Sequence, residues 1–455
     1  MAGGIALLLG AALRVRGAQG DLWLDEIWSL QLVELLREGR FLVESLAVDN
    51  NHYLNTLFLL LVGPDAHTLV LRSFSILLSL AAVPVAGYAL RRAGPPGVIS
   101  AMTVFASAYL FVNYGSEARG YAGLILATLL AIVLVERGLE KPERPVVTAL
   151  GIVAVTGFLF QPIMLLSLGI LGLWALWVSW RASGDIKRSV QATWRLFMPA
   201  FAGLLPVAVL IGGAIFRSGT YLIAAKTPFS LANFLEGYAG LIRALLGVPH
   251  AVPDFAILAV PLVTLIAAGI ILRSTRVSLG VIALVLVPLV VLIARPPNVQ
   301  FPRYYLPSGI VFCLLLAELF AAAWSRGVSW RVVAIALAVA IGLGNASEIA
   351  KLFHYGRGDP LPAMRRIATA HQAVLLNVRD HVVIAFLGRR YGVEVTTVEP
   401  AELCQKRPTF LLTSDQDAPE RITLNQPGCT AAFQRESTTP FWGLSGLAWT
   451  LYHAE

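Results

Sequence analysis

The sequence predicts an all-α polytopic membrane bundle of about 11 transmembrane helices carrying a small C-terminal α/β domain on its outer face. Composition is the first reason: only 14% of the 455 residues are charged, 57% are hydrophobic, and the mean hydropathy is +0.72. A soluble domain carries roughly 25% charged residues. Pattern is the second, because long apolar runs alternate with short basic clusters. The third is a shift at Arg357, after which charges rise and apolar runs shorten to strand or helix length.

The first run, 4–13, is short for a span, so either the helix borrows from its polar flank or the true start lies upstream. It is bounded by Arg14 and Arg16 and lacks a clear small-residue cleavage site, so a removable signal peptide is not expected. Runs follow at 67–90, 97–114, 119–136, 146–160 and 162–180, the last two split by Phe160-Gln161-Pro162. The later ones are 197–216, 256–272, 278–294, 304–323 and 331–350. Arg91 and Arg92, then Arg137, Lys141 and Arg144, then Arg181 to Arg195, Arg273 and Arg276, and Arg326 and Arg331 occupy alternate connections. With those in the cytoplasm, the N-terminus is inside, the C-terminus outside, and the 21–66, 115–120, 217–255 and 295–303 loops share the outer face. The net charge of +8 is thereby accounted for by membrane topology, and nucleic-acid binding is not expected.

Domain boundaries follow: a membrane domain over 1–350 and an outer domain over 357–455. In the latter, 371–377, 391–398 and 408–414 read as strands and 379–392 as an amphipathic helix. Cys313 lies in an apolar run, whereas Cys404 and Cys429 fall in the polar C-terminal part and are candidates for one disulfide in an oxidising compartment.

Polar side chains at a membrane edge are costly and usually have a task. The acidic pair Asp25 and Glu26 stands between Trp23 and Trp28 in the first outer loop. Asp25 suits a general base or a metal ligand beside a phosphate, or equally the start of an interfacial helix whose Ile27, Leu30, Val33 and Leu36 lie on lipid. The cluster Asp49-Asn50-Asn51-His52 adds a phosphate-binding or metal-ligating histidine, or a structural one. Asp25, Asp49 and His52 are therefore the candidate ligands for a divalent metal ion. Glu117 and Arg119 stand two apart at the mouth of two helices, as a site pair or a simple helix-end pair. Arg303, followed by Tyr304, is a phosphate clamp or an interface anchor. Lys226, Arg217 and Arg243 are further phosphate-binding candidates.

Four stretches in order carry a resemblance: Leu22-Trp23-Leu24-Asp25-Glu26, the 49–58 segment with His52, Ser116-Glu117-Ala118-Arg119-Gly120-Tyr121, and Arg303-Tyr304-Tyr305-Leu306-Pro307. They resemble the GT-C glycosyltransferases, closest to bacterial membrane enzymes akin to protein O-mannosyltransferases and the lipid A aminoarabinose transferase. The resemblance covers the membrane part to about residue 350. It implies a hexosyl- or pentosyltransferase using a polyprenyl-phosphate-linked sugar, acting on the outer face of the cytoplasmic membrane with inversion at the anomeric carbon. The acceptor, a protein, lipid or polysaccharide, stays open. By motif position Asp25 takes the catalytic place with Glu26 its neighbour, Glu117 is a second site acid, and Arg119, Arg303, Tyr304 and His52 serve the donor phosphate. Tyr53 and Leu54 stand after His52 where relatives often have two prolines, and the outer domain matches nothing assignable.

Two other classes compete. A transporter or flippase of a lipid-linked sugar is expected to show paired inverted halves and charges near mid-bilayer, whereas here the acids cluster in outer loops. A scaffold presenting the outer domain would not need polar residues of separate loops to converge.

Overall fold

The computed structural model describes residues 1–39, 44–48, 51–219, 227–272, 274–414 and 418–455. Its helices in the first half are α1 (Ala2–Gly17), α2 (Leu24–Arg37), α3 (Tyr53–Val62), α4 (Thr68–Ala89), α5 (Gly94–Ser107), α6 (Tyr109–Gly115), α7 (Tyr121–Glu140), α8 (Arg144–Phe160) and α9 (Met164–Ser183). Then come α10 (Ile186–Ser218), α11 (Leu231–Leu246), α12 (Asp254–Ile271), α13 (Arg276–Val281), α14 (Val287–Ala294), α15 (Leu306–Ser325) and α16 (Val328–Tyr355). One π-helical turn over Ile282–Leu286 joins α13 to α14.

Among the described residues, eight helices are long and apolar enough to cross a membrane, or nine if α5 and α6 count as one bent span. The expectation of 11 is therefore too high. Helix α1 has 16 residues and α8 has 17. At about 1.5 Å per residue neither reaches the ~30 Å hydrocarbon thickness of a bilayer. The apolar runs are real, but an apolar run is not a span unless its helix is long enough.

Two-thirds of the apolar stretch of α7, and of the helix containing α15, is buried, so these form the middle of the bundle. Helix α10 is buried over only 17% of its apolar stretch and presents Phe201, Leu205, Val209 and Phe216 outward, as a lipid-facing rim does.

The run 97–114 is not one helix. It breaks at Ala108 and turns by 56°. Three of the backbone groups freed by the break are taken up by polar side chains of other helices, as a low-dielectric setting favours. The Asn345 Oδ1 accepts from the Tyr109 amide at 2.6 Å, while Arg14 NH1 and NH2 donate to the carbonyls of Ala106 and Phe105 at 2.8 Å. Arg14, which by sequence closes the first apolar run, is thus fully buried and serves as the cap of a neighbouring helix. The bend swings α6 across the bundle and carries residues 116–120 into a cleft with α2, α3 and α4.

The C-terminal part contains α17 (Leu361–Ala370), α18 (Val378–Tyr391), α19 (Leu403–Lys406) and six strands, β1 (Ala373–Leu375), β2 (Thr396–Val398), β3 (Phe410–Thr413), β4 (Arg421–Gln426), β5 (Cys429–Thr439) and β6 (Trp449–Ala454). They form one sheet in the order β2-β1-β3-β6-β5-β4. The three expected strands are β1 to β3, with β1 parallel to both neighbours, and α18 falls on the expected helix. Strands β4 to β6 are an antiparallel meander that the sequence reading did not single out. On β4 the burial alternates residue by residue without a strong apolar period, so the sequence signal was weak.

This sheet is not separate from the bundle. Leu22, Trp23, Ile27 and Leu30 of the α2 region share one core with Met364, Ile384, Leu387, Leu412 and Trp449. Arg390 donates to the Ala66 carbonyl at 3.0 Å, and Tyr391 donates to Asp21. The apolar face of α2, readable from the sequence as lipid-facing, is instead covered by α18 and its sheet.

Cys404 and Cys429 are joined by a disulfide, and Cys313 is buried. Thiol labelling of the native, unreduced protein is therefore expected to miss both Cys404 and Cys429 and to gain them after reduction. Labelling of either without reductant argues against the bond.

Candidate functional site

The site is assembled by one carboxylate with a structural task. Glu26 sits in the first turn of α2 and is fully buried. Its Oε1 accepts from Arg72 Nε at 2.8 Å and from the Ala118 amide at 2.7 Å, and its Oε2 accepts from Arg72 NH2 at 2.6 Å and the Trp23 amide at 3.2 Å. Arg72, in α4, spends its remaining donors on the carbonyls of Ala18, Gly20 and Asp21. Burial by itself would raise the Glu26 carboxyl, but Arg72, with Arg357 and the Ala118 amide, more than reverses this and holds it below the ordinary carboxylate range. Both oxygens being engaged, Glu26 pins α2 to the 116–120 loop.

That pin sets the next pair. One residue before Glu26 is Asp25 and one after Ala118 is Arg119, and their side chains meet, Arg119 NH1 lying 2.7 Å from Asp25 Oδ2. The loop is further held by Asn55 Nδ2 donating to the Ala118 carbonyl at 2.7 Å and Ser75 Oγ donating to the Arg119 carbonyl at 2.9 Å. Gly120 is required because a Cβ there would run into the Phe160 carbonyl. Arg119 stacks over Tyr121, its guanidinium carbon 4.7 Å from the ring centroid, and over Trp23 at 5.5 Å.

His52 completes a chain of contacts. Arg119 Nε donates to His52 Nε2 at 3.2 Å, which leaves the imidazole proton on Nδ1, facing the Phe160 carbonyl at 3.2 Å. Burial first, then the charges of Arg119 and Arg303, hold its pKa well below the ordinary value, so the ring is neutral.

Arg303 stands in the short 3-10 turn Pro302–Tyr305 leading into α15. Its guanidinium lies 4.0 Å from the Phe301 ring centroid and 5.6 Å from that of Tyr304. It is within electrostatic reach of Asp25, Tyr121, Tyr304 and Tyr114. Among the described residues it makes no hydrogen bond or ion pair. A half-buried guanidinium without an anion, beside one already paired, is a natural seat for a phosphate.

Glu117 lies on the other side of the loop, fully buried, accepting from Asn113 Nδ2 at 2.7 Å and Arg357 NH1 at 3.2 Å. Burial raises its pKa, against the pull of Arg357 and Arg119. Arg357 also donates to Asn113 Oδ1 and to Ser116 Oγ, both at 3.1 Å, while its own carbonyl accepts from the Leu447 amide. Glu117 therefore links the site loop to the C-terminal sheet region rather than facing Asp25.

Asp25 is thus the one predicted acid of the three with side-chain surface left open, 11% against none for Glu26 and Glu117. Lys226 and Asp49 lie outside the described residues. Arg243 is engaged elsewhere, paired with Asp254 at 2.7 Å, and Arg217 lies at the end of α10. The metal reading gains no support from the donors: among the described residues no three His, Cys, Asp or Glu side chains converge. His52 has both ring nitrogens engaged, and Asp25 is taken by Arg119.

No family model matches the chain, and no curated protein does either.

Sequence reasoning missed Arg72 and Arg357, and it gave no role to the aromatic pair Tyr114 and Tyr121 that flanks the third motif, whose ring centroids are 5.0 Å apart beside Arg119. Arg72 was legible in principle: it is a charge inside the apolar run 67–90, and such a charge needs a partner. Arg357 carried no local signal, since it acts across 240 residues.

Proposed function

We propose that the protein is a membrane glycosyltransferase that moves a sugar from a polyprenyl-phosphate donor to an acceptor hydroxyl on the outer face of the cytoplasmic membrane. The observation that carries it is an ion-paired Asp25 that keeps a little exposed side-chain surface and lies within electrostatic reach of the Arg303 guanidinium. Glycosyl transfer with inversion breaks the bond from the anomeric carbon to the phosphate oxygen and forms one to the acceptor oxygen. It needs a carboxylate on the acceptor side to take the hydroxyl proton and positive charge on the opposite side for the departing phosphate. Asp25 supplies the first and Arg303 with Arg119 the second, with Tyr304 and Tyr121 walling the phosphate end. Neutral His52 accepts from Arg119 and fixes the plane of its guanidinium. Arg119 lies between the two roles, orienting Asp25 and sharing the phosphate charge. The resemblance of the four motifs to the GT-C enzymes supports the donor class.

The test is a transfer assay on purified protein with a panel of polyprenyl-phosphate sugars and membrane extract as acceptor source. Consumption of one donor, dependent on Asp25, supports the reading. A well-folded sample that binds a donor and consumes none moves a flippase of lipid-linked sugars to the front.

Arg303→Ala is expected to lower kcat/KM for the donor by about 10- to 100-fold, the loss of one charge-assisted hydrogen bond to phosphate. The effect is expected mainly on KM. An unchanged donor dependence makes Arg303 an interface anchor.

A further inference from the structure

At the ends of α4 and α7 away from Asp25, two arginines gather round one aromatic ring. Helices α4 and α7 both start at the candidate site and run to the other side of the bundle, where Tyr88 and Arg137 stand in their last turns. There Arg91, in the 3-10 turn Arg91–Ala93, places its guanidinium carbon 4.2 Å from the centroid of the Tyr88 ring. Arg137 places its own 5.2 Å from the same ring and donates to the Tyr88 hydroxyl. Two like charges share one aromatic ring, and neither has a carboxylate partner among the described residues. The nearby acids are occupied: Glu136 pairs with Arg276 at 2.7 Å, and Glu140 pairs with Arg92.

Directly beside Tyr88 and Arg137 lies a groove of about 590 Å³ between α4, α7 and α8. Its walls are Pro84, Val85, Leu130, Val133, Leu134 and Val153, with no polar side chain below the Tyr88–Arg137 mouth. An apolar slot within the membrane-crossing part, lined at one end by the Arg137 guanidinium and the Tyr88 phenol, with Arg91 outside the lining but against the same Tyr88 ring, matches a molecule with an anionic head and a hydrocarbon tail. Basic pockets between transmembrane helices take such headgroups.

We propose that this groove binds one anionic phospholipid, its phosphodiester between Arg91 and Arg137 and an acyl chain along α4, α7 and α8. The Tyr88 hydroxyl, held by Arg137, is positioned to donate to a phosphate oxygen. Two of the three helices that form the groove, α4 and α7, carry Arg72 and follow Arg119 at their other ends, so the lipid would brace the frame of the candidate site. The inference does not depend on the sugar-transfer reading.

The test is lipid binding to the purified full chain, by native mass spectrometry and by thermal shift. The probes are phosphatidylglycerol, phosphatidylcholine and inorganic phosphate. Phosphatidylglycerol is expected to be retained and to raise Tm, with phosphatidylcholine and inorganic phosphate weaker on both readouts. Arg91→Ala with Arg137→Ala is expected to weaken phosphatidylglycerol binding by about 30-fold, at roughly 1 kcal/mol for each arginine near the headgroup. Val153→Trp, which fills the groove and keeps both charges, is expected to lose it as well. Arg326→Ala with Arg331→Ala, which removes two arginines elsewhere, is expected to bind as the wild type does. Equal binding of both lipids overturns the proposal. So does an undiminished preference in the Arg91/Arg137 variant, full retention by Val153→Trp, or an equal loss in the Arg326/Arg331 control.

Discussion

Asp25→Asn is expected to lower sugar transfer by about 10²- to 10⁴-fold, the usual contribution of a general base, while leaving expression and Tm near those of the wild type. Asparagine keeps the side-chain volume and an oxygen toward Arg119, so the ion pair becomes a hydrogen bond without a cavity. What is lost is the ability to take a proton. Donor KM is expected to move little, because the phosphate contacts assigned to Arg303 and Arg119 remain. The competing account makes Asp25 only a holder of Arg119, with the carboxylate no more than a counterion. On that account Asp25→Asn would raise donor KM as Arg119 loosened and would spare kcat. Measuring both parameters, with donor saturated and then limiting, separates the two. Full activity in Asp25→Asn removes Asp25 as the base.

The site's logic explains which parts of it were legible in the sequence. The adjacent acids between two tryptophans and the Glu117–Arg119 pair stood out because charge near a membrane has few innocuous uses. The structure brings Asp25, Arg119, His52 and Arg303 into one neighbourhood, although they come from three separate stretches, 21–66, 115–120 and 295–303. The sequence did not say which acid does what. Asp25 and Glu26 look equivalent in one dimension, and only the burial of Arg72 against Glu26 makes one structural and leaves the other partly open. The same limit applied to the bundle. Composition identified a helical membrane protein, but span number depended on helix length and on the break at Ala108. That break is supported by Arg14 and Asn345, more than 90 and 230 residues away respectively. The C-terminal sheet shows the limit again, because α2 carries an apolar face whose partner cannot be known from α2 alone. Lipid and a second domain select the same residue types. Here the second domain won, and Leu387 and Trp449 complete the core.

Glu26→Gln is expected to be the most damaging single change to the fold, costing about 3–5 kcal/mol, because it leaves the Arg72 charge buried without its counterion. Both side chains have no exposed surface, so water cannot compensate. The glutamine amide would also point two donors where the carboxylate accepts from Arg72, Ala118 and Trp23. The sign with pH follows from the lowered Glu26 pKa: its contribution is complete at neutral pH and above the unfolded carboxylate value. It is lost only as pH falls through the folded value. At neutral pH, therefore, Glu26→Gln should show a reduced yield and a lower Tm. Replacing both partners, Glu26→Leu with Arg72→Met, removes the stranded charge and is expected to recover most of that Tm, as buried ion pairs exchanged for packed apolar side chains often do. Activity should not return with it. Without the Glu26 carboxylate the Ala118 amide loses its acceptor, and Arg119 is no longer delivered opposite Asp25. A double variant that is stable and inactive places Glu26 among the positioning residues. A stable and active one shows that the 116–120 loop is held well enough by Asn55, Ser75 and Arg357, and that the pair serves stability alone.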